Sequence, residues 1–68
     1  MRKTTLKEYR EQNGLTQVKV ANALDITVVY VSDLERGVSQ PGPKLALKIH
    51  EWSGGKIDLK TLRPDIWR

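Results

Sequence analysis

Gln17-Val18-Lys19-Val20-Ala21-Asn22-Ala23-Leu24-Asp25-Ile26-Thr27-Val28-Val29-Tyr30-Val31-Ser32-Asp33-Leu34-Glu35-Arg36 is the stretch that decides the fold. Thr16 stands before it as an N-cap, and Val20, Ala21 and Leu24 share one face of a helix over 17–24. Thr27 caps a second helix over 28–36, with Val31 and Leu34 inward and Gly37 in the position that ends it. Val28-Val29-Tyr30-Val31 are four strand-favouring residues in a row. The flanking caps and the helical spacing of Val31 and Leu34 outweigh them. The small Ala21 suits a close helix crossing, and Val20, Leu24, Ile26, Val31 and Leu34 lock the two helices together. The outward positions at the start of the second helix stay free.

Working outward, Thr5 and Glu8 have capping-box spacing, which predicts a helix over 6–13 stopped at Gly14. Val38-Ser39-Gln40-Pro41-Gly42-Pro43 is turn chemistry, and Pro43 suits the first position of a helix running to about Trp52, with Leu45, Ile49 and Trp52 on one face. Ser53-Gly54-Gly55 ends it. Asp58 caps a short turn over 59–62, and Pro64 prevents its continuation. The alternation Lys56-Ile57-Asp58-Leu59 also fits a short strand, but no second strand is near to pair with it. The expected fold is all-α: a compact bundle of four helices plus a short fifth, forming a single domain over 1–68.

With 68 residues there is room for one core and a thin stability margin, so pairing with a second copy is expected. The chain has no Cys and one His, His50, which excludes thiolate metal sites and leaves no metal-ligating set; His50 is expected on the outer part of its helix. No Ser/His/Asp set, Gly-rich phosphate loop or carboxylate pair can be assembled, so no catalysis and no cofactor are expected. The basic start Met1-Arg2-Lys3-Thr4-Thr5 leads into no apolar run, and no run approaches the about 18–20 residues of a membrane span. A soluble, cytoplasmic protein is expected. The net charge of +4 fits a polyanionic partner, but its distribution is uneven. Residues 15–36 carry two cations and three anions, while the remainder carries ten cations and five anions.

Leu15-Thr16-Gln17, Ala21, Leu24-Asp25-Ile26-Thr27, Val31 and Leu34-Glu35-Arg36-Gly37 together resemble the Cro and repressor family of phage and prophage helix-turn-helix proteins. The tail, Lys56-Ile57-Asp58-Leu59 and Leu62-Arg63-Pro64-Asp65-Ile66-Trp67, is similar to the C-terminal end of short Cro-like regulators. The resemblance spans nearly the whole chain. It departs at Asp25, where the family usually places Gly in a left-handed turn; Asp tolerates that conformation better than most residues.

The resemblance implies a lambda-repressor-like, DNA-binding regulator that represses by occupying a pseudo-palindromic operator as a homodimer in a bacterial host cell, with no small-molecule substrate. It places Val28, Val29, Ser32 and Asp33 against base edges, and Gln17 and Thr27 at phosphates. It also pairs Arg10 with Glu35 in a structural salt bridge. The physics of these side chains adds detail. Val28 and Val29 have only methyl groups to offer, which suits the thymine C5-methyl, and Asp33 accepts only, which suits the cytosine N4 amino group. Tyr30 and Arg36 stand at the edge of that surface. Lys3, Lys7, Lys19, Arg36 and Lys44 are the flanking cations expected to supply phosphate contacts. Ile66 and Trp67 either fold back onto the fourth helix or form the dimer contact, the expected role. The alternatives are an antitoxin that binds DNA and holds a toxin, and a protein-interaction module on the same fold.

Overall fold

The computed structural model describes residues 4–67. Among them five helices follow in order: α1 (Leu6–Gln12), α2 (Gln17–Leu24), α3 (Val28–Arg36), α4 (Pro43–Trp52) and α5 (Leu59–Leu62). Each start has a local cause. Thr5 Oγ1 accepts from the Glu8 N–H at 3.2 Å while the Glu8 carboxylate reaches back to the Thr5 N–H, completing the capping box. Thr16 and Thr27 accept from the Lys19 and Tyr30 N–H groups, each at 3.1 Å. Pro43 opens α4, where its missing N–H costs nothing, and Asp58 caps α5 through the Lys60 N–H. Asn13 is the C-cap of α1, so that helix closes one residue earlier than its spacing predicts.

Leu6, Val20, Ala21, Leu24, Val31, Ile49 and Ile57 form the buried core, and Tyr9, Leu15, Ile26, Leu34, Leu45, Trp52 and Leu62 pack around it. α2 packs against α3, and Ala21 lies buried in that core with no side chain beyond Cβ to hold neighbouring helices apart. Tyr9 and Trp52 meet edge to face, ring centroids 5.1 Å apart, and tie α1 to the end of α4.

The joint between α2 and α3 depends on Asp25, whose backbone is left-handed at φ 58° and ψ 45°. Its N–H reaches the Ala21 and Asn22 carbonyls, and Lys48 Nζ donates to the Leu24 carbonyl at 2.9 Å. The last turn of α2 is thus closed from within and held from α4. Asp25→Ala is expected to destabilise the fold by about 1 kcal/mol, because a methyl side chain meets the left-handed penalty without Asp's local hydrogen bonding. Asp25→Gly should show no such loss. Thermal unfolding of the two variants checks this, and an Ala variant as stable as the native chain would overturn it.

One expectation holds and one changes. Residues 56–59 form no strand; Ile57 instead drops into the core from a loop, with no exposed surface. His50 does not stand on the outer part of α4. The loop after α4 folds back beneath it, so the ring is half-buried and its Nδ1 donates to the Ile57 carbonyl at 2.8 Å. Ser53 completes the arrangement: its Oγ donates to the His50 carbonyl and accepts from the Ile57 N–H at 3.0 Å.

Candidate nucleic-acid interface

The exposed face of α3 follows from its helical repeat. At 100° per residue, positions 28, 32, 36, 29 and 33 fall in that angular order within an arc of about 140°. Val31 and Leu34 lie on the other side, in or against the core. Val28 and Val29 are 40% and 67% exposed, although an isolated helix face gains nothing by presenting two β-branched apolar residues to water. Ser32 and Asp33 are half-exposed on the same face. Arg36 lies in the middle of the arc, and its Nη2 donates to Asp33 Oδ1 at 2.7 Å.

Glu35 flanks this face beside Val28, and its buried carboxylate anchors α3 to both preceding helices. Arg10 Nε donates to Glu35 Oε2 at 2.6 Å and Arg10 Nη2 to Oε1 at 3.0 Å, while Arg10 Nη1 reaches the Leu15 carbonyl. Gln17 Nε2 donates to Glu35 Oε1 at 3.1 Å. Burial pushes the Glu35 carboxyl up, but the hydrogen bonds from Arg10 and Gln17 and the charges of Arg10 and Lys7 outweigh it, holding it below its ordinary 4.5. The hydrogen bonds that Arg10 donates to Glu35 raise its guanidinium pKa in turn.

The remaining candidates are spread around the molecule. The Gln17 side chain is committed to Glu35, but its backbone N–H lies in the unpaired first turn of α2. Thr27 Oγ1 accepts from Tyr30, which leaves the hydroxyl proton to donate outward. Tyr30 Oη lies 3.4 Å from the Gln40 carbonyl, between α3 and the following turn. Lys7, Lys19 and Lys44 are exposed, on α1, α2 and α4 respectively. Lys3 lies outside the described residues. In the tail, Arg63 grips Asp65 through Nε and Nη2 and donates from Nη1 to the Pro41 carbonyl at 2.9 Å. The Arg63 hydrogen bond drives the Asp65 carboxyl down to about 2. Ile66 is 43% exposed and Trp67 half-buried beside it. Among the described residues, no cluster of three or more His, Cys, Asp or Glu side chains is placed to hold a metal ion. No helix among them is long and apolar enough to cross a membrane.

Sequence reasoning missed the links from Gln17 to Glu35, from Lys48 to Leu24 and from Arg63 to Pro41, which join residues 18 to 24 apart. No spacing rule reaches that far. Sequence reasoning also left Asp33 and Arg36 unpaired, although opposite charges three residues apart on one helix are a signal that could have found the pair.

Two crossed helices joined by a left-handed turn, the second exposed along its outer face, match a known family profile: helix-turn-helix, over residues 6–51. The chain belongs to the helix-turn-helix family. Its match ends near the close of α4, so the family accounts for the four main helices and not for the tail. The helix-turn-helix chain is also 38% identical over 56 residues to an uncharacterised helix-turn-helix-type transcriptional regulator of Methanocaldococcus jannaschii. That alignment covers 82% of this chain and 85% of the relative. No solved structure matches the chain significantly.

Proposed function

We propose that this protein is a sequence-specific, double-stranded-DNA-binding transcriptional regulator: a non-catalytic, Cro-like repressor that works in the cytoplasm as a homodimer on a pseudo-palindromic operator. The observation that carries the reading is the outer face of α3. A Val29 side chain 67% exposed beside Val28 has no role in this chain's own core, and such methyl groups match the thymine methyl in the major groove. The helix start that bears them is the part of this motif that meets base edges. Ser32 adds a hydroxyl that serves base or phosphate. The first turns of α2 and α3, at Gln17 and Thr27, turn unpaired N–H groups outward toward phosphates, a favourable setting without any net positive charge. That reconciles a near-neutral centre with a polyanionic partner, because Lys7 and Lys44 add charge from the flanks and Lys19 adds it at the edge of α2.

Homodimer formation rests on the tail. Ile66 and Trp67 present apolar surface on a segment that Arg63 ties to the Pro41 carbonyl. Two copies placed back to back read half-sites about one DNA turn apart.

Selection from a random duplex pool, followed by a salt titration on the winning sequence, tests the reading. A palindromic site with a thymine in each half is expected, with log K falling against log salt by about 0.9 for each of roughly three to five phosphates per subunit. Val28→Ala and Val29→Ala should each erase a thymine preference worth about 1 kcal/mol, with folding intact. No enrichment at low salt would sink the DNA reading and leave a protein-interaction role. An unchanged preference in both Val variants would remove these residues from the readout.

A further inference from the structure

We propose that Asp33 and Arg36 form a single base-reading unit, in which the Asp33 carboxylate holds the Arg36 guanidinium against the groove face of α3 and the guanidinium reads a guanine. The proposal rests on the DNA-reading role argued above and changes what Asp33 does within it. Taken alone, Asp33 is an acceptor that suits cytosine. In the structure its Oδ1 already accepts from Arg36 Nη2 at 2.7 Å.

Three features place the guanidinium, not the carboxylate, in contact with a base. The first is exposure: the Arg36 side chain is 64% exposed and Asp33 only 26%, so the guanidinium donors are more open to an approaching base edge than the carboxylate is. The second is position. Arg36 lies in the middle of the arc shared by Val28, Ser32, Val29 and Asp33, at the end of α3 away from Thr27. Long helical side chains lean back toward the helix N-terminus, and the bond to Asp33 holds the Arg36 head over the preceding turn, nearer the base-facing end of α3. The third is charge. A bare carboxylate on a surface that approaches phosphates is repelled, whereas the pair is neutral as a unit and keeps most of its guanidinium donors. Two parallel donors on a held guanidinium match guanine O6 and N7, the most frequent specific contact in the major groove. None of the other outward α3 residues, Val28, Val29 or Ser32, supplies such a fork.

The test uses the full chain and the duplex it selects, with each G·C pair of the half-site changed in turn to A·T. Native protein is expected to prefer guanine at one position by about 10- to 100-fold. Arg36→Ala should abolish that preference and leave the thymine preferences in place. Asp33→Ala should lower it severalfold although it removes a negative charge from the surface, and Asp33→Asn should fall between. The double variant should match Arg36→Ala alone, because the two act through one contact. Thermal midpoints run alongside show that each variant is folded. If Arg36→Ala weakens all duplexes equally, Arg36 is a phosphate contact and the proposal fails. It fails also if Asp33→Ala erases the preference while Arg36→Ala keeps it, since Asp33 then reads cytosine directly. Losses that simply add would separate the two residues and overturn the unit. A native protein that selects no site would defeat the DNA-reading role itself, and that outcome is visible before any variant is made.

Discussion

Glu35→Ala is expected to lower stability by about 3 kcal/mol, which for a chain of this size moves the thermal midpoint down by roughly 15 °C. The reason lies in what is left behind. The Glu35 side chain is 4% exposed and Arg10 16%, and the carboxylate takes hydrogen bonds from Arg10 twice and from Gln17 once. Removing it strands a guanidinium charge and an amide where little water reaches them. The residual exposure of Arg10 keeps the loss near the lower end of the range for broken buried pairs. A small domain holds only about 3–10 kcal/mol in total, so the loss takes about a third of that margin or more. Replacing Arg10 and Glu35 together by Met and Leu should recover most of the loss, since no charge is then left without a partner. Denaturant unfolding of the three proteins checks this; a single Glu35→Ala variant within 1 kcal/mol of native would show the anchor to be decorative.

The same carboxylate sets a pH dependence. Its folded pKa lies below the ordinary 4.5, so its contribution is fully present above that value and fades as pH falls through the depressed folded pKa. The native chain should therefore lose stability on acidification below pH 4.5, and Glu35→Gln should lose less over the same interval. Asp65, held at about 2 by Arg63, adds a second loss in the same direction between its ordinary 3.8 and that value.

Ile57→Ala carries the other large effect, a loss of about 3 kcal/mol by the combined transfer and cavity cost of a buried Ile. Ile57 has no exposed surface, yet it lies outside every helix. The core reaches it because both of its backbone groups are satisfied: the N–H by Ser53 Oγ at 3.0 Å and the carbonyl by His50 Nδ1 at 2.8 Å. Without those partners, burying a loop backbone would cost as much as the side chain contributes. Ile57→Val should lose about 1 kcal/mol, and the neighbouring exposed Lys56→Ala almost nothing. Equal, small losses for all three would mean that the loop is not part of the core.

What the amino-acid sequence determined here is mainly local. The helix starts at Thr5, Thr16, Thr27 and Asp58 were legible because a cap and the N–H it serves lie two or three residues apart, so composition and spacing contain the whole interaction. The inward faces of α2 and α3 were legible for the same reason, through the helical period, and with them the exposed stripe that makes the candidate site. The left-handed turn at Asp25 came into view through family resemblance, as the position where the family usually has Gly. The Arg10–Glu35 contact joins residues 25 apart and came into view only through family resemblance.

Tertiary structure decided the rest: Gln17 turning inward to Glu35, the loop after α4 folding back onto His50, Ile57 entering the core and Arg63 tying the tail to the turn after α3. These contacts depend on the crossing of helices and the return path of loops. A few degrees in a crossing angle change which side chains meet, and no period in the chain records that angle.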